Sequence, residues 1–417
     1  MIKKYGKVLF VPIIIMVVGY FLLVIVDCIP YRWIKKEAEE SAEILSDQGV
    51  YPSGYLEGWF LDNWTDADCI SIVINKSSNN PFFNAIHAFQ MASEDDPQIS
   101  SIEALQSTVD GNATLEADHS YLWNGFQIWL RILMVKYNIT EIRCLMYLTM
   151  LLFSTVICAL IVRENNSVWS IIPFFVSFSF FNFQMESLSI LFFTDIMIML
   201  VGCFAILMYQ RTDVQITYID VNELCIFAAM GSLVAFFSML ITPLLTLGLP
   251  LVLSIRQKKT RNDKSCLTSF LANSASWLFS FALTLVTKMI LSTMLIGQNK
   301  GKSPVAAYLG NSDIAERLDT IADVFVKIGW ESEVKIQLAV LLLAVLTVFV
   351  LWKKRGNLIR YKYYTLSSLL ISIFPCVWCF VMEGHAGHGW TKWLYSISLF
   401  ALLQMLWEFS EFPRLKK

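Results

Sequence analysis

The feature that most constrains this chain is its succession of apolar runs near twenty residues long, separated by charged stretches. A helix needs roughly 20 apolar residues to cross the hydrocarbon core of a bilayer. Candidate spans fall at about 8–26, 141–162, 168–184, 188–209, 222–241, 268–291, 336–352, 363–382 and 393–410. A further apolar run, 243–255, follows Pro243 and is short for a full span, so it reads as half-embedded. Val8 to Val26 is long and ends in Asp27-Cys28-Ile29-Pro30 without a small-residue cleavage site, so it reads as a retained first helix, not a signal peptide. Composition agrees: 56% of residues are hydrophobic and 16% charged, against about 25% charged in an ordinary soluble domain. These values exclude a soluble enzyme, a disordered chain and a nucleic-acid-binding arm. The fold expected is all-α, a polytopic transmembrane bundle of about ten spans with both termini cytoplasmic.

The basic residues test this topology. With the N-terminus inside, the inner segments hold Lys3, Lys4 and Lys7, then Arg256, Lys258, Lys259, Arg261 and Lys264, then Lys353, Lys354, Arg355, Arg360 and Lys362, then Arg414, Lys416 and Lys417. The short outer loops are nearly bare of Lys and Arg, which is the positive-inside pattern. The parity holds only if 222–255 enters the membrane and returns as a hairpin. Thr242-Pro243 supplies the break, because proline lacks a donor and clashes one turn back.

Five regions follow. Residues 1–26 form the first span, and 27–137 an acidic extracytoplasmic loop. Residues 138–296 hold further spans with the broken hairpin at 222–255, 297–335 make a second outer loop, and 336–417 the C-terminal spans. In the first loop, Arg32 to Leu45 reads as an amphipathic helix with Ile34, Ala38 and Ala42 on one side. Trp123 to Tyr137, aromatic and apolar with one Arg and one Lys, reads as a helix in the membrane interface with Trp123, Phe126 and Trp129 at headgroup depth.

Few polar residues stand out as chemistry. Leu61-Asp62-Asn63-Trp64-Thr65-Asp66-Ala67-Asp68 packs three carboxylates into seven residues, as a general base or a divalent-metal site would require; a solvated acidic loop is the plainer reading. All four histidines, His87, His119, His385 and His388, fall outside in this topology. The last two lie in the glycine-rich turn Glu383-Gly-His-Ala-Gly-His388, which suits a metal, a phosphate or the support of a carboxylate, and equally two surface histidines. Asp195 and Lys288 sit inside spans, where a charge is costly. Lys288 snorkels to the interface or holds a lipid phosphate there, with Arg131, Lys136 and Arg143 as further cations. Cys28 and Cys69 are both outside, and their pairing stays open. No P-loop, GxSxG, HExxH or dinucleotide fingerprint occurs.

In layout the chain resembles the GT-C superfamily of polytopic membrane glycosyltransferases. Three stretches carry the likeness: LDNWTDAD (Leu61–Asp68); YLWNGFQIWLRIL with EIRCL (Tyr121–Leu133, Glu141–Leu145); and FFSMLITPLLTLGLPL (Phe236–Leu251). The resemblance implies an integral protein of the bacterial cell membrane. Such a protein moves a sugar with inversion from a polyprenyl-phosphate donor to a saccharide or lipid acceptor on the extracytoplasmic face, with no nucleic-acid partner. In that family the catalytic acid comes early in the first outer loop; here Asp27 directly follows the first helix, and Asp62 and Asp66 come later. Carried over, Asp66 is the general base and Asp62 assists it. His385 and His388 meet the leaving phosphate. Lys288, Arg131, Trp123 and His119 complete the substrate site, with a divalent cation (Mg or Mn) an optional cofactor. Two other classes stay open. A transporter or flippase of lipid-linked glycans would carry an internal repeat and a polar midplane, and a non-catalytic assembly protein would use the outer loop only to bind a partner.

Overall fold

The apolar run after Lys7 lies in a single helix, α1 (Ile2–Asp27), which stops where Pro30 removes a donor. The computed structural model describes residues 2–52, 61–76, 78–92, 101–111, 115–179, 188–209, 219–259, 262–296, 313–319, 321, 349, 352–382 and 393–410. Besides α1, these residues form α2 (Tyr31–Gln48), α3 (Asn63–Ile74), α4 (Pro81–Asn84), α5 (Ser101–Val109), α6 (Gln127–Leu133), α7 (Ile139–Asn165), α8 (Ile172–Ser179), α9 (Ile190–Tyr209), α10 (Val221–Phe237), α11 (Leu245–Lys259), α12 (Asp263–Ile296), α13 (Arg355–Arg360), α14 (Lys362–Ser372), α15 (Phe374–Val381) and α16 (Tyr395–Phe409). One element departs from an all-helical reading. β1 (Phe89–Ala92) pairs antiparallel with β2 (Leu115–Asp118), each strand too short for its alternation to stand out in sequence.

Among the described residues, five helical stretches are long and apolar enough to cross a membrane: Gly6–Asp27, Ile139–Asn165, Ile190–Tyr209, Asp263–Ile296 and Lys362–Val381. Val168–Phe178, Val221–Phe237 and Tyr395–Phe409 are apolar but shorter. At 1.5 Å per residue a 17-residue helix spans about 25 Å, less than the ~30 Å core. The expected span at 336–352 lies almost wholly outside the described residues.

The hairpin expected at 222–255 is present as a pair of antiparallel helices. Glu223 at the start of α10 accepts from the Ser254 hydroxyl and pairs with Lys258 at the end of α11, so the two helices run in opposite directions. Between them, residues 238–244 leave the helix, and Leu240 takes φ 67°. Such a break survives inside a bundle only if its polar groups find partners. Asp195 of α9 supplies them: its Oδ2 accepts from the Thr242 amide (3.1 Å) and hydroxyl (2.9 Å). The Ser238 hydroxyl accepts from the Leu240 amide at 2.8 Å. The charge inside α9 thus holds the α10–α11 turn. Asp195→Ala leaves the Thr242 amide buried without its acceptor and is expected to cost about 1–3 kcal/mol, read as a lower melting temperature in detergent; Asp195→Asn, which retains an acceptor, is expected to cost less.

α11 runs for 15 residues inside the protein. Every residue from Leu245 to Arg256 is buried, as befits a helix that is apolar all round and sits at the centre of a bundle. α10 lies close against α12 at Gly231, where a Cβ would come within 2.2 Å of the Trp277 carbonyl oxygen. The obstacle is backbone, so Gly231→Val is expected to force the helices apart and destabilise by about 3 kcal/mol or more, visible as loss of a monodisperse peak on size exclusion.

The described residues between 28 and 137 form a layer over one end of the bundle. α2 buries Ile34, Ala38, Ala42 and Leu45, the face its sequence spacing predicts, and nearly all of α3 is buried. The Trp123 segment turns two of the three aromatic side chains expected at headgroup depth into the protein and leaves Trp129 half-buried. Its helix, α6, is seven residues long, and Trp123, Phe126 and Leu130 are buried within the protein. Asn124 at φ 52° turns the chain so that the Gly125 amide donates to the Phe236 carbonyl at 2.9 Å. Trp123 stacks on Phe236, ring centroids 4.9 Å apart, and donates to the Thr284 carbonyl at 2.9 Å. Sequence cannot separate an aromatic stripe that meets headgroups from one that meets other helices.

At the opposite end, three of the orienting cations are buried and paired. Arg256 meets Glu164 (3.0 Å) and Glu408 (3.3 Å), while Lys259 meets Glu408 (3.0 Å) and faces the rings of Tyr361, Tyr364 and Phe409. The orientation rule counts Lys and Arg and not net charge, so these partners do not weaken it.

Candidate functional site

Two charge clusters occupy the loop end of the bundle, one at each end of α3. At its start, Asp62 is the N-cap: one carboxylate oxygen accepts from the Thr65 amide at 3.1 Å and the other from the Thr65 hydroxyl. Asp62 is 2% exposed. Burial pushes its carboxyl up to about 6, against the pull of the Thr65 bonds.

One turn on, Asp66 is fully enclosed. Its Oδ2 accepts from Arg143 Nη2 of α7 at 2.7 Å. Its Oδ1 accepts from the Ser189 hydroxyl (3.1 Å) and from the Ile190 amide (2.9 Å), so it caps α9. Burial raises the Asp66 carboxyl and Arg143 pulls it back. Arg143 also donates to Asn63 Oδ1 (2.6 Å) and Gln48 Oε1 (3.1 Å), and Asn63 donates to the Gly49 carbonyl (2.7 Å). Four helices, α2, α3, α7 and α9, therefore meet at a single ion pair.

Beyond the far end of α3, whose 12 residues rise about 18 Å, Lys76 reaches Asp27, the residue that closes α1. Its Oδ1 lies 3.2 Å from Arg131 Nη1 and 3.3 Å from Lys76 Nζ, and its Oδ2 accepts from Asn84 Nδ2 at 2.9 Å. Arg131 Nη2 also reaches the Ile29 carbonyl at 3.4 Å. Beside this, Lys288 of α12 is buried, donates to the Ile86 carbonyl, and stands 5.3 Å from the Trp123 ring centroid. His119 donates its amide to the Ala88 carbonyl (2.8 Å), and its ring stacks with Tyr121.

The residues singled out in sequence thus fall into two groups. Asp62 and Asp66 are neighbours. Lys288 and Trp123 touch each other, close to the Ile86–Ala88 stretch that His119 also meets, and Arg131 serves Asp27. The turn with His385 and His388 lies outside the described residues. Sequence reading missed Asn63, Ser189, Lys76 and Asn84 as partners. Asn63 was adjacent to the acidic motif, but nothing in sequence pointed to Ser189, 123 residues from the carboxylate it meets. Cys28 and Cys69 are both free thiols, exposed and buried respectively. Among the described residues, no three His, Cys, Asp or Glu side chains are placed to hold a metal ion, so Asp62, Asp66 and Asp68 do not form the cation site that their spacing allowed.

Among the described residues, five helices of membrane-crossing length and apolarity, with a layer of short helices on one end, define the class: a helical protein of the membrane type. Comparison with protein-family models, with curated proteins and with solved structures gives no match.

Proposed function

We propose that the chain is a membrane glycosyltransferase of the GT-C type, moving a sugar from a polyprenyl-phosphate donor to a saccharide or lipid acceptor on the outer face of a bacterial cell membrane. One observation carries the reading. Asp62, in the motif that supports the resemblance, is a buried carboxylate with its pKa pushed up to about 6, where a general base can both take and release a proton near neutrality. The reading exchanges the roles that sequence alone suggests. Asp66 accepts from three donors, one of them the Arg143 guanidinium that holds it as a paired anion, whereas Asp62 accepts from Thr65 and has no counter-ion in contact among the described residues. Asp66 is accordingly a positioning residue that fixes α3, and Asp62 is the base.

In the proposed step, Asp62 removes the proton of the acceptor hydroxyl. The acceptor oxygen bonds the anomeric carbon from the face opposite the phosphate. The bond from that carbon to the phosphate oxygen breaks, and its electrons leave with the polyprenyl phosphate. His385 and His388 are proposed at the departing phosphate. Lys288 and Arg131 brace the layer on the spans, because the groups they meet are the protein's own, the Ile86 carbonyl and Asp27. The test is release of polyprenyl phosphate by the purified protein from a polyprenyl-phosphate sugar, compared between wild type and Asp62→Asn. A second reading, a non-catalytic assembly protein, is favoured by the saturation of Asp27 and Asp66; it expects no release from either.

A further inference from the structure

The first loop is strongly acidic, with 17 Asp and Glu between residues 27 and 120 and only four Lys or Arg: Arg32, Lys35, Lys36 and Lys76. All four gather at the end of α1. Lys76 lies on Asp27, the last residue of that helix. Arg32, Lys35 and Lys36 fall in the first turns of α2, which starts directly after Pro30. These three and Trp33 are exposed, Trp33 by 54%. Lys35 pairs with Glu39 and Lys36 with Glu37 and Glu40, but on the surface, where such pairs contribute little. Arg32 has no ion pair among the described residues.

The course of α2 gives this patch its neighbour. The helix leaves the end of α1, and midway along it the Ser41 hydroxyl accepts from the Ile139 amide (2.9 Å) at the start of α7. α2 therefore bridges the ends of two membrane-length helices and lies along the surface between them. Just below its start, α1 exposes Phe21 (51%) and Ile25 (62%). A lipid whose chains lie on Phe21 and Ile25 brings its phosphate to the height of Arg32–Lys36, with Trp33 at the depth that interfacial tryptophans favour.

We propose that this basic, aromatic start of α2 binds the headgroup of an anionic phospholipid. Each cation near a charged bilayer surface strengthens attraction several-fold, so the patch separates anionic from zwitterionic lipid even with its acidic neighbours. The proposal rests on α1 being membrane-embedded and not on the glycosyltransferase reading.

The test is native mass spectrometry of the full-length protein in detergent, titrated separately with phosphatidylglycerol, phosphatidylcholine and polyprenyl phosphate. The expected result is retention of phosphatidylglycerol about tenfold more tightly than phosphatidylcholine. The triple variant Arg32→Gln, Lys35→Gln, Lys36→Gln is expected to lose that preference while melting as wild type does in phosphatidylcholine. Asp62→Asn is expected to bind phosphatidylglycerol as wild type does, which separates this proposal from the catalytic one. Equal retention of the two phospholipids, an undiminished preference in the triple variant, or retention of polyprenyl phosphate alone would each overturn it.

Discussion

Arg143→Ala is expected to destabilise the protein by about 3–5 kcal/mol, the usual consequence of removing one partner from a buried ion pair. The reason lies in what remains. Asp66 is 0% exposed, and without Arg143 its charge has only the Ser189 hydroxyl and the Ile190 amide as donors. Asn63 and Gln48 lose a donor at the same time, so the ends of α2 and α3 come loose together from α7. Asp66→Leu is expected to be similarly costly, because it leaves the guanidinium buried without its counter-ion. The double variant Arg143→Met, Asp66→Leu removes both charges and is expected to recover more than half of the loss, since apolar groups of similar volume replace buried pairs at little cost. Thermal melts in one detergent compare the three. A double variant no more stable than either single would mean that the pair is not what joins these helices.

The second large effect belongs to Asp62. Asn keeps the N-cap bond to the Thr65 amide and removes the proton acceptor, so Asp62→Asn is expected to fold normally and lose about 10²–10⁴-fold in transfer rate. The pH dependence has a definite sign. The folded carboxyl sits at about 6, above its ordinary 3.8, because burial disfavours the anion. Folded protein then holds this proton more tightly than unfolded chain. The associated stability, about 3 kcal/mol, is complete below about pH 4 and fades as pH rises to about 6. Activity runs the other way: the base must be ionised, so the rate is expected to climb through pH 6 and level off above it. Stability and rate should therefore cross in one pH window in wild type, and Asp62→Asn should lose this stability step. A wild-type rate flat from pH 5 to pH 8 would speak against Asp62 as base.

What was legible in the sequence was what local period and charge parity encode. The face of α2 follows from Ile34, Ala38 and Ala42 at helical spacing, and all three are buried. The α10–α11 hairpin was forced by the cations at 256–264, and contacts from Glu223 to Ser254 and Lys258 close it. What was not legible depends on long-range partners. Asp66 reads as a base from its place in an acidic motif, while the partners it meets, Arg143, 77 positions away, and the start of α9, leave no local trace in sequence. Asp195 stood out as a charge in a span, but only the turn at Thr242 explains it. Trp123 carries the same amphipathic signature whether lipid or protein faces it; here Phe236 and Thr284 do.

The proposed activity is transfer of a sugar from a lipid phosphate, with Asp62 as the base. It is tested most directly by incubating purified, detergent-solubilised wild type and Asp62→Asn with polyprenyl-phosphate sugars and candidate acceptors at pH 7.5 and following polyprenyl phosphate by mass spectrometry. The account predicts release by wild type and at least about 10²-fold less from the variant. Equal release from the two proteins would contradict the role of Asp62, and no release from wild type with any donor would contradict the enzyme itself.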